Sequence, residues 1–281
     1  MVVLVEKLGR SLNFPPSKPK PLDPPLKSAA LADFRSKIAE FVAGIGSELL
    51  SLKGFDKCFD LIHTSNSAFA ELAIQIDYPM RQWGPCLTAE YLSCTSDLLS
   101  LSNAVTSSVS HLSYAKMRLL RLLHALTTSP AEARHAAPPQ QKIKFEKAIT
   151  LEERATSRQE QVLLEALILC RKLGLLALGL IVSGLCGDAE AYVEMRGKAG
   201  GIEIDDPLLK EVDSRFSKAA VGVVVMEEVR EVEMGEGVEE VKRRLKVMED
   251  SLQRINTQTD HLFSQLLSAR NEVIASIRFP E

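Results

Sequence analysis

The chain has 281 residues, enough for one large or two small domains with a substantial core. Its 46% hydrophobic and 25% charged residues are typical of a folded globular protein and exclude a wholly disordered chain. Aromatic residues make up only 5%, which favours helices packed on helices over sheets, and the formal net charge of −3 gives no general attraction to nucleic acid or anionic lipid.

Residues 1–27 are predicted to form a flexible, proline-rich basic N-terminal arm. The segment "FPPSKPKPLDPP" holds too many prolines for a continuous helix. The opening "MVVLVEKLGR" lacks the apolar core of a secretory signal, because Glu6 and Lys7 interrupt it. A disordered N-terminal arm is favoured over a targeting peptide or a segment that touches a membrane.

Residues 28–278 are predicted to form one helical-bundle domain. Apolar residues recur every three or four positions from Ser28 to about Ile45, and again from about Phe55 to Ile76. The segment "DYPMRQWGP" then predicts a turn, since Pro79 and Pro85 interrupt any helix. We expect Tyr78 and Trp83 to hold that turn against the bundle.

Two long helices carry a heptad pattern. The first is predicted from about Leu87 to Leu126 and would be roughly 60 Å long. The second follows Val238 and keeps its apolar stripe to Val273, with Thr259 as a polar interruption. Between them we predict a mobile loop near 128–156, a helix over 157–196 and a helix over 208–234. The fold class is therefore all-α: an elongated antiparallel helical bundle with a very apolar central helix.

The apolar segment "LGLLALGLIVSGLCG", Leu173 to Gly187, allows two interpretations. Its 15 residues make about 22 Å of helix, whereas a bilayer core requires about 30 Å. Its three glycines are spaced by five and do not share one face, but small residues let a helix pack closely against several neighbours. We predict a buried central helix. A membrane span over 163–187, or insertion after a rearrangement, remains the alternative.

The sequence contains no recognisable catalytic, cofactor or metal site. The five cysteines are scattered without C-x-x-C spacing, and the five histidines form no H-x-x-x-H pair. The glycine pairs in "GIGSEL" and "GEGVEE" do not follow a strand, so neither is a phosphate-binding loop. We predict a non-enzymatic protein with no catalytic residues, no cofactor, no metal and no nucleic-acid partner.

Three motifs resemble the plant BYPASS family. They are "QIDYPMRQW", "SGLCGDAEAYVEMRGKAG" and "DHLFSQLLSARNEVIASIR", and the opening "MVVLVEKLGR" is similar to that family's N-terminus. The similarity follows the chain in order and leaves out only the region near 128–156. The resemblance implies a plant protein without assigned catalytic residues that acts in root and shoot development. It also implies restraint of a root-derived mobile signal, or a link to the exocyst in secretion, with membrane association in some relatives.

Each motif combines charged residues with an aromatic residue near a helix end. One interpretation is capping and helix-to-helix hydrogen bonding within the bundle. The other is a surface docked by a protein partner, with Trp83 as anchor and Arg196, Arg270 and Glu272 as charged members. An exocyst subunit is one candidate partner.

Three hypotheses of function follow from these observations. The first is a helical adaptor in developmental signalling or secretion, the second a membrane protein anchored by 163–187, and the third a binder of a small apolar ligand in the bundle core. We expect a cytoplasmic location, with membrane association, plastid and endoplasmic reticulum as open alternatives. The oligomeric state is left undecided by the pattern.

Overall fold

The computed structural model describes residues 24–45, 54–128, 157–200, 206–222 and 238–278. Over these ranges the secondary structure is helical without a strand, which confirms the all-α prediction. The predicted N-terminal arm up to residue 23 and the predicted loop over 129–156 lie outside the described residues. The helices are α1 (Pro24–Ala43), α2 (Gly54–Gln75), a 3-10 helix (Met80–Gln82), α3 (Pro85–Thr128), α4 (Arg158–Cys186), α5 (Glu190–Ala199), α6 (Pro207–Gly222) and α7 (Val238–Arg278).

Helix α4 lies at the centre of the molecule. It contacts α1, α2, α3, α5 and α6, and every residue from Leu173 to Leu185 is buried. Among the described helices, α4 alone is long and apolar enough to cross a membrane, but 83% of its most apolar window is buried inside the protein. The apolar segment is thus packed as the core of the bundle, as a helix surrounded by five neighbours requires.

Two glycines of α4 allow close contact with two different neighbours. A Cβ on Gly174 would lie 2.6 Å from Cδ2 of Leu98 in α3. A Cβ on Gly179 would lie 2.8 Å from Cβ of Met195 in α5. Neighbouring side chains fill both positions, so these glycines serve close packing and do not line a ligand cavity.

The helices of the core do not all run antiparallel, which corrects one part of the expected arrangement. Helices α3 and α4 run parallel: Leu87 N lies 3.3 Å from a carboxylate oxygen of Glu160 at one end, and Ser108 Oγ lies 3.6 Å from Cys186 Sγ at the other. Helix α7 runs antiparallel to α3, since Arg270 contacts Leu92 and Lys116 contacts Glu249. Helices α2 and α4 are also antiparallel.

The single helix predicted over 157–196 is wrong, because the chain turns at Gly187. Gly187 has a φ of 73°, and its N–H and that of Asp188 both donate to the carbonyl of Ser183 at 2.9 and 3.2 Å. This left-handed cap ends α4. Helix α5 then folds back along α4, and Tyr192 N donates to Ser183 Oγ at 2.8 Å.

Two further boundaries differ from the prediction. Helix α1 begins at Pro24, inside the region assigned to the N-terminal arm (residues 1–27), because proline is compatible with the first turn of a helix. Helix α6 covers Pro207–Gly222, and the remainder of the helix predicted over 208–234 lies outside the described residues.

The apolar stripes of α3 from Tyr91 to Leu112 and of α7 from Val241 to Val273 are buried, including the polar residues that interrupt them. Thr259 is 1% exposed and donates to the carbonyl of Ile255 at 2.7 Å. Ser108 is also buried and donates to the carbonyl of Ala104 at 3.0 Å. Each hydroxyl is satisfied by its own helix, so it can occupy a buried position at little cost.

Candidate functional site

Trp83 lies in the turn between α2 and α3 and is partly buried there. Its indole ring makes edge contacts with Phe69, at a centroid distance of 6.3 Å, and with Tyr91, at 5.3 Å. The indole Nε1 is buried and has no hydrogen-bond partner among the described residues. Tyr78 of the same turn is buried. Trp83 thus joins the turn to α2 and α3, and Tyr78 is buried within the protein, in agreement with the prediction that both hold the turn against the bundle.

Arg270 and Glu272, near the end of α7, lie at the same end of the molecule. Arg270 Nη1 donates to the carbonyl of Leu92 at 2.5 Å and to Thr95 Oγ1 at 3.1 Å, which joins α7 to α3. Burial raises the pKa of the Glu272 carboxyl. Burial also raises the pKa of Tyr91, and the nearby charge of Glu272 adds to that shift. Tyr91, which contacts Trp83, therefore lies near the end of α7.

Arg196 lies apart from these three residues. Its Nε donates to both carboxylate oxygens of Asp213, at 2.8 and 2.9 Å, and so connects α5 to α6. The hydroxyl of Tyr192 donates to the same carboxylate at 2.9 Å. The hydrogen bond to Asp213 raises the pKa of Arg196. The structure thus brings together Trp83, Arg270 and Glu272 but not Arg196, and both arginines make helix-to-helix hydrogen bonds.

The thiol groups of the core are held in their protonated form. Burial raises the pKa of Cys170 to about 12, and its Sγ donates to the carbonyl of Ser65 at 3.4 Å. Burial also raises the pKa values of Cys58 and Cys94. A protonated thiol is a poor nucleophile and a poor metal ligand. Within the described ranges, no group of three or more His, Cys, Asp or Glu side chains could hold a metal ion.

An exposed apolar surface that sequence reasoning missed lies on the far half of α3. Beyond Ser108, which faces the end of α4, helix α3 continues to Thr128 beside the first turns of α7. We call residues 109–128 and 238–250 the arm. On it, the side chains of Tyr114 and Met117 are 65% and 47% exposed, and Val247 is 55% exposed. The sequence did indicate this surface, since Tyr114 and Met117 are large apolar residues that fall outside the apolar stripe by which α3 packs.

The arm is held together by its own two helices. Lys116, which is only 7% exposed, pairs with Glu249 of α7 at 2.5 Å. Val241, Leu245 and Met248 of α7 are buried, as is Leu112 of α3. The arm therefore combines a packed inner seam with an outer surface on which large apolar side chains are exposed.

Comparison of the chain with protein-family models, curated proteins and solved structures finds no match. The resemblance to the BYPASS family consequently depends on the quoted motifs alone.

Proposed function

We propose that the protein is a non-enzymatic helical adaptor that binds a protein partner through the arm. One observation carries this proposal: the packed pair of α3 and α7 presents Tyr114, Met117 and Val247 to solvent beyond the end of α4. Aromatic residues and methionine are enriched at protein interfaces, where they supply a large contact area. A surface of this kind on a packed scaffold supports binding better than chemistry.

The length of α3 and α7 gives such an adaptor a long reach. Trp83 and Arg270 lie near one end of the α3–α7 pair, and Tyr114 lies towards the other. A helix of 44 residues is about 66 Å long. We propose an elongated, heptad-type α3–α7 pair as the frame on which separate partners are held, one at each end.

The resemblance to the BYPASS family extends this proposal to a biological setting. We propose that the adaptor acts in plant development, either by restraining a root-derived mobile signal or by assisting exocyst-linked secretion. An exocyst subunit is then one candidate for the protein that binds the arm. The role of Trp83, Arg270 and Glu272 in this proposal is to fix the end of α7 against α3, so that the frame stays rigid.

Proximity labelling in plant cells tests the adaptor proposal. The full-length protein is compared with the double variant Tyr114→Ser/Met117→Ser and with the control Val193→Ser. Val193 is 63% exposed on α5, so the control removes a similarly exposed apolar side chain elsewhere. We expect the arm variant to lose specific neighbours that the control retains. Identical neighbour sets for all three proteins would exclude binding through the arm, and turnover of a metabolite by the purified protein would overturn the non-enzymatic proposal.

A second candidate function, a membrane protein anchored by 163–187, is favoured by the length and apolar composition of α4. A carbonate wash of membranes from cells that express the full-length protein separates the two candidates. Retention in the pellet would support insertion of α4, whereas release to the supernatant would support the packed core. The third hypothesis, an apolar ligand in the core, requires that such a ligand raise the melting temperature.

A further inference from the structure

The outer face of the arm is acid-free over the whole distal half of α3. From Leu98 to Thr128 the helix contains no Asp or Glu, whereas it carries Lys116, Arg118 and Arg121 together with two histidines. Lys116 is buried in its pair with Glu249. Arg121 is exposed, so positive charge remains at the surface of this helix.

Five exposed residues of α3 follow the helical repeat and form one outward stripe. They are spaced by four, three, four and three positions, which places them on the same side of the helix: Ser110, Tyr114, Met117, Arg121 and His124. The stripe is about 21 Å long. Its apolar centre is followed by a cation, and a helix of roughly four turns would cover it.

We propose that this stripe binds an acidic amphipathic helix of a protein partner, an inference that rests on the adaptor function proposed above. The partner helix would place apolar side chains at three- and four-residue spacing over Tyr114 and Met117. Its carboxylates would lie beside Arg121, where α3 itself supplies no acidic group.

The charges on α7 favour a protein partner over a lipid surface. The first turns of α7, residues 238–250, contain four acidic and four basic residues, so their formal charges cancel. Glu239 pairs with Lys242 at 2.8 Å, and Glu240 pairs with Arg243 at 2.5 Å. A flat anionic surface would lie against this neutral part of the arm as well as against Arg121, whereas a single helix can follow the stripe of α3 alone.

A second copy of the chain fits the stripe less well than an acidic partner. Symmetric pairing would bring the acid-free face of α3 against the same face of another molecule. Arg121 would then meet no carboxylate from the opposing stripe. Charge complementarity therefore points to a different protein with an acidic helix.

Photo-crosslinking from the stripe identifies what covers it. Ser110 of the full-length protein is replaced by photoreactive benzoylphenylalanine in cells, and the crosslinked residues are mapped by mass spectrometry. We expect adducts to a segment with net negative charge and apolar residues at three- and four-residue spacing. We also expect Arg121→Glu to lower the adduct yield about tenfold, because like charges then face each other. The matched control Lys210→Glu, an exposed position on α6, should leave the yield unchanged.

Each other outcome overturns the inference. Adducts to lipid, to a basic or neutral segment, to a second copy or within the same chain would each name a different occupant. Adducts to an acidic segment that are insensitive to Arg121→Glu would remove the charge argument. If the proximity labelling changes with Tyr114→Ser/Met117→Ser but no acidic segment is crosslinked, the adaptor proposal stands and the acidic partner is wrong. If neither the proximity labelling nor the crosslinking changes with the substitutions in the arm, both the adaptor proposal and the acidic-partner proposal are wrong.

Discussion

Helix α4 and the arm bury apolar residues in different ways. From Leu173 to Leu185, α4 is enclosed on every side by neighbouring helices. In the arm, α3 and α7 bury one seam and leave the opposite sides exposed. Stability is therefore concentrated around α4, whereas the arm has surface available for binding. Substitutions in the two regions should separate these properties.

The largest expected effect is a cavity at the centre of α4. Leu176 is fully buried, so Leu176→Ala should lower the free energy of unfolding near the upper end of the roughly 2–5 kcal/mol range for such changes. Leu245→Ala in the arm should lie near the lower end, because a two-helix seam relaxes more easily. Urea unfolding followed by circular dichroism measures both. Equal losses would mean that the arm is packed as tightly as the core.

A methyl group added at a glycine gives the next effect, with opposite signs at two positions. Gly179→Ala would force Met195 away and should cost about 1–3 kcal/mol. Gly197 in α5 has no atom within 4 Å of an added Cβ. Gly197→Ala should therefore stabilise the protein by about 0.5–1 kcal/mol through helix propensity. Thermal unfolding of the two variants tests this, and stabilisation by Gly179→Ala would contradict the close contact of α4 and α5.

Two arginines of α7 offer a smaller contrast. Arg270→Met removes hydrogen bonds to Leu92 and Thr95, and we expect a loss of about 1–2 kcal/mol. Arg254→Met removes a more exposed pair with Asp56 at 3.3 Å, and the loss should be below about 1 kcal/mol. Trp83 is the only tryptophan in the sequence, so its fluorescence reports on the affected end. An unchanged emission after Arg270→Met would mean that the end of α7 does not affect the surroundings of Trp83.

The smallest expected effect depends on pH. Because burial raises the pKa of Glu272, the folded protein binds this proton more tightly than the unfolded chain does. The free energy of unfolding then rises as pH falls from the raised pKa towards the ordinary value of 4.5. Glu272→Gln should stabilise the protein slightly at pH 7, by less than about 1 kcal/mol, and this gain should vanish below about pH 4. A gain that persists at low pH would have another cause.

The regular parts of the fold could be predicted from local pattern. The stripe of α7 from Val241 to Val273 follows the helical repeat, and its apolar members are buried. The core position of the apolar segment also followed from its length and its glycines. Proline and glycine placed the turn at Trp83, because they restrict the backbone whatever surrounds them.

Other features depend on contacts between residues distant in sequence. The parallel pairing of α3 and α4 is determined by packing between residues far apart in sequence, and no local signal encodes it. The turn at Gly187 did have a local signal, a glycine followed by Asp188 that accepts from Glu190 N at 3.0 Å. The uninterrupted apolar run before it concealed that signal. The exposed surface of the arm could not be predicted in this way, because the spacing of apolar residues marks those that pack and not those that remain exposed.

The parallel arrangement of α3 and α4 has an electrostatic consequence. It places the amino-terminal ends of two helices side by side, and each such end carries roughly half a positive charge from the aligned peptide dipoles. The side chain of Glu160 is fully buried between them: it lies in the first turn of α4, and its carboxyl oxygen accepts from Leu87 N of α3. A side chain of the first turn of α4 thus supplies a hydrogen-bond acceptor to the first turn of α3, so that one residue joins the amino-terminal ends of both helices.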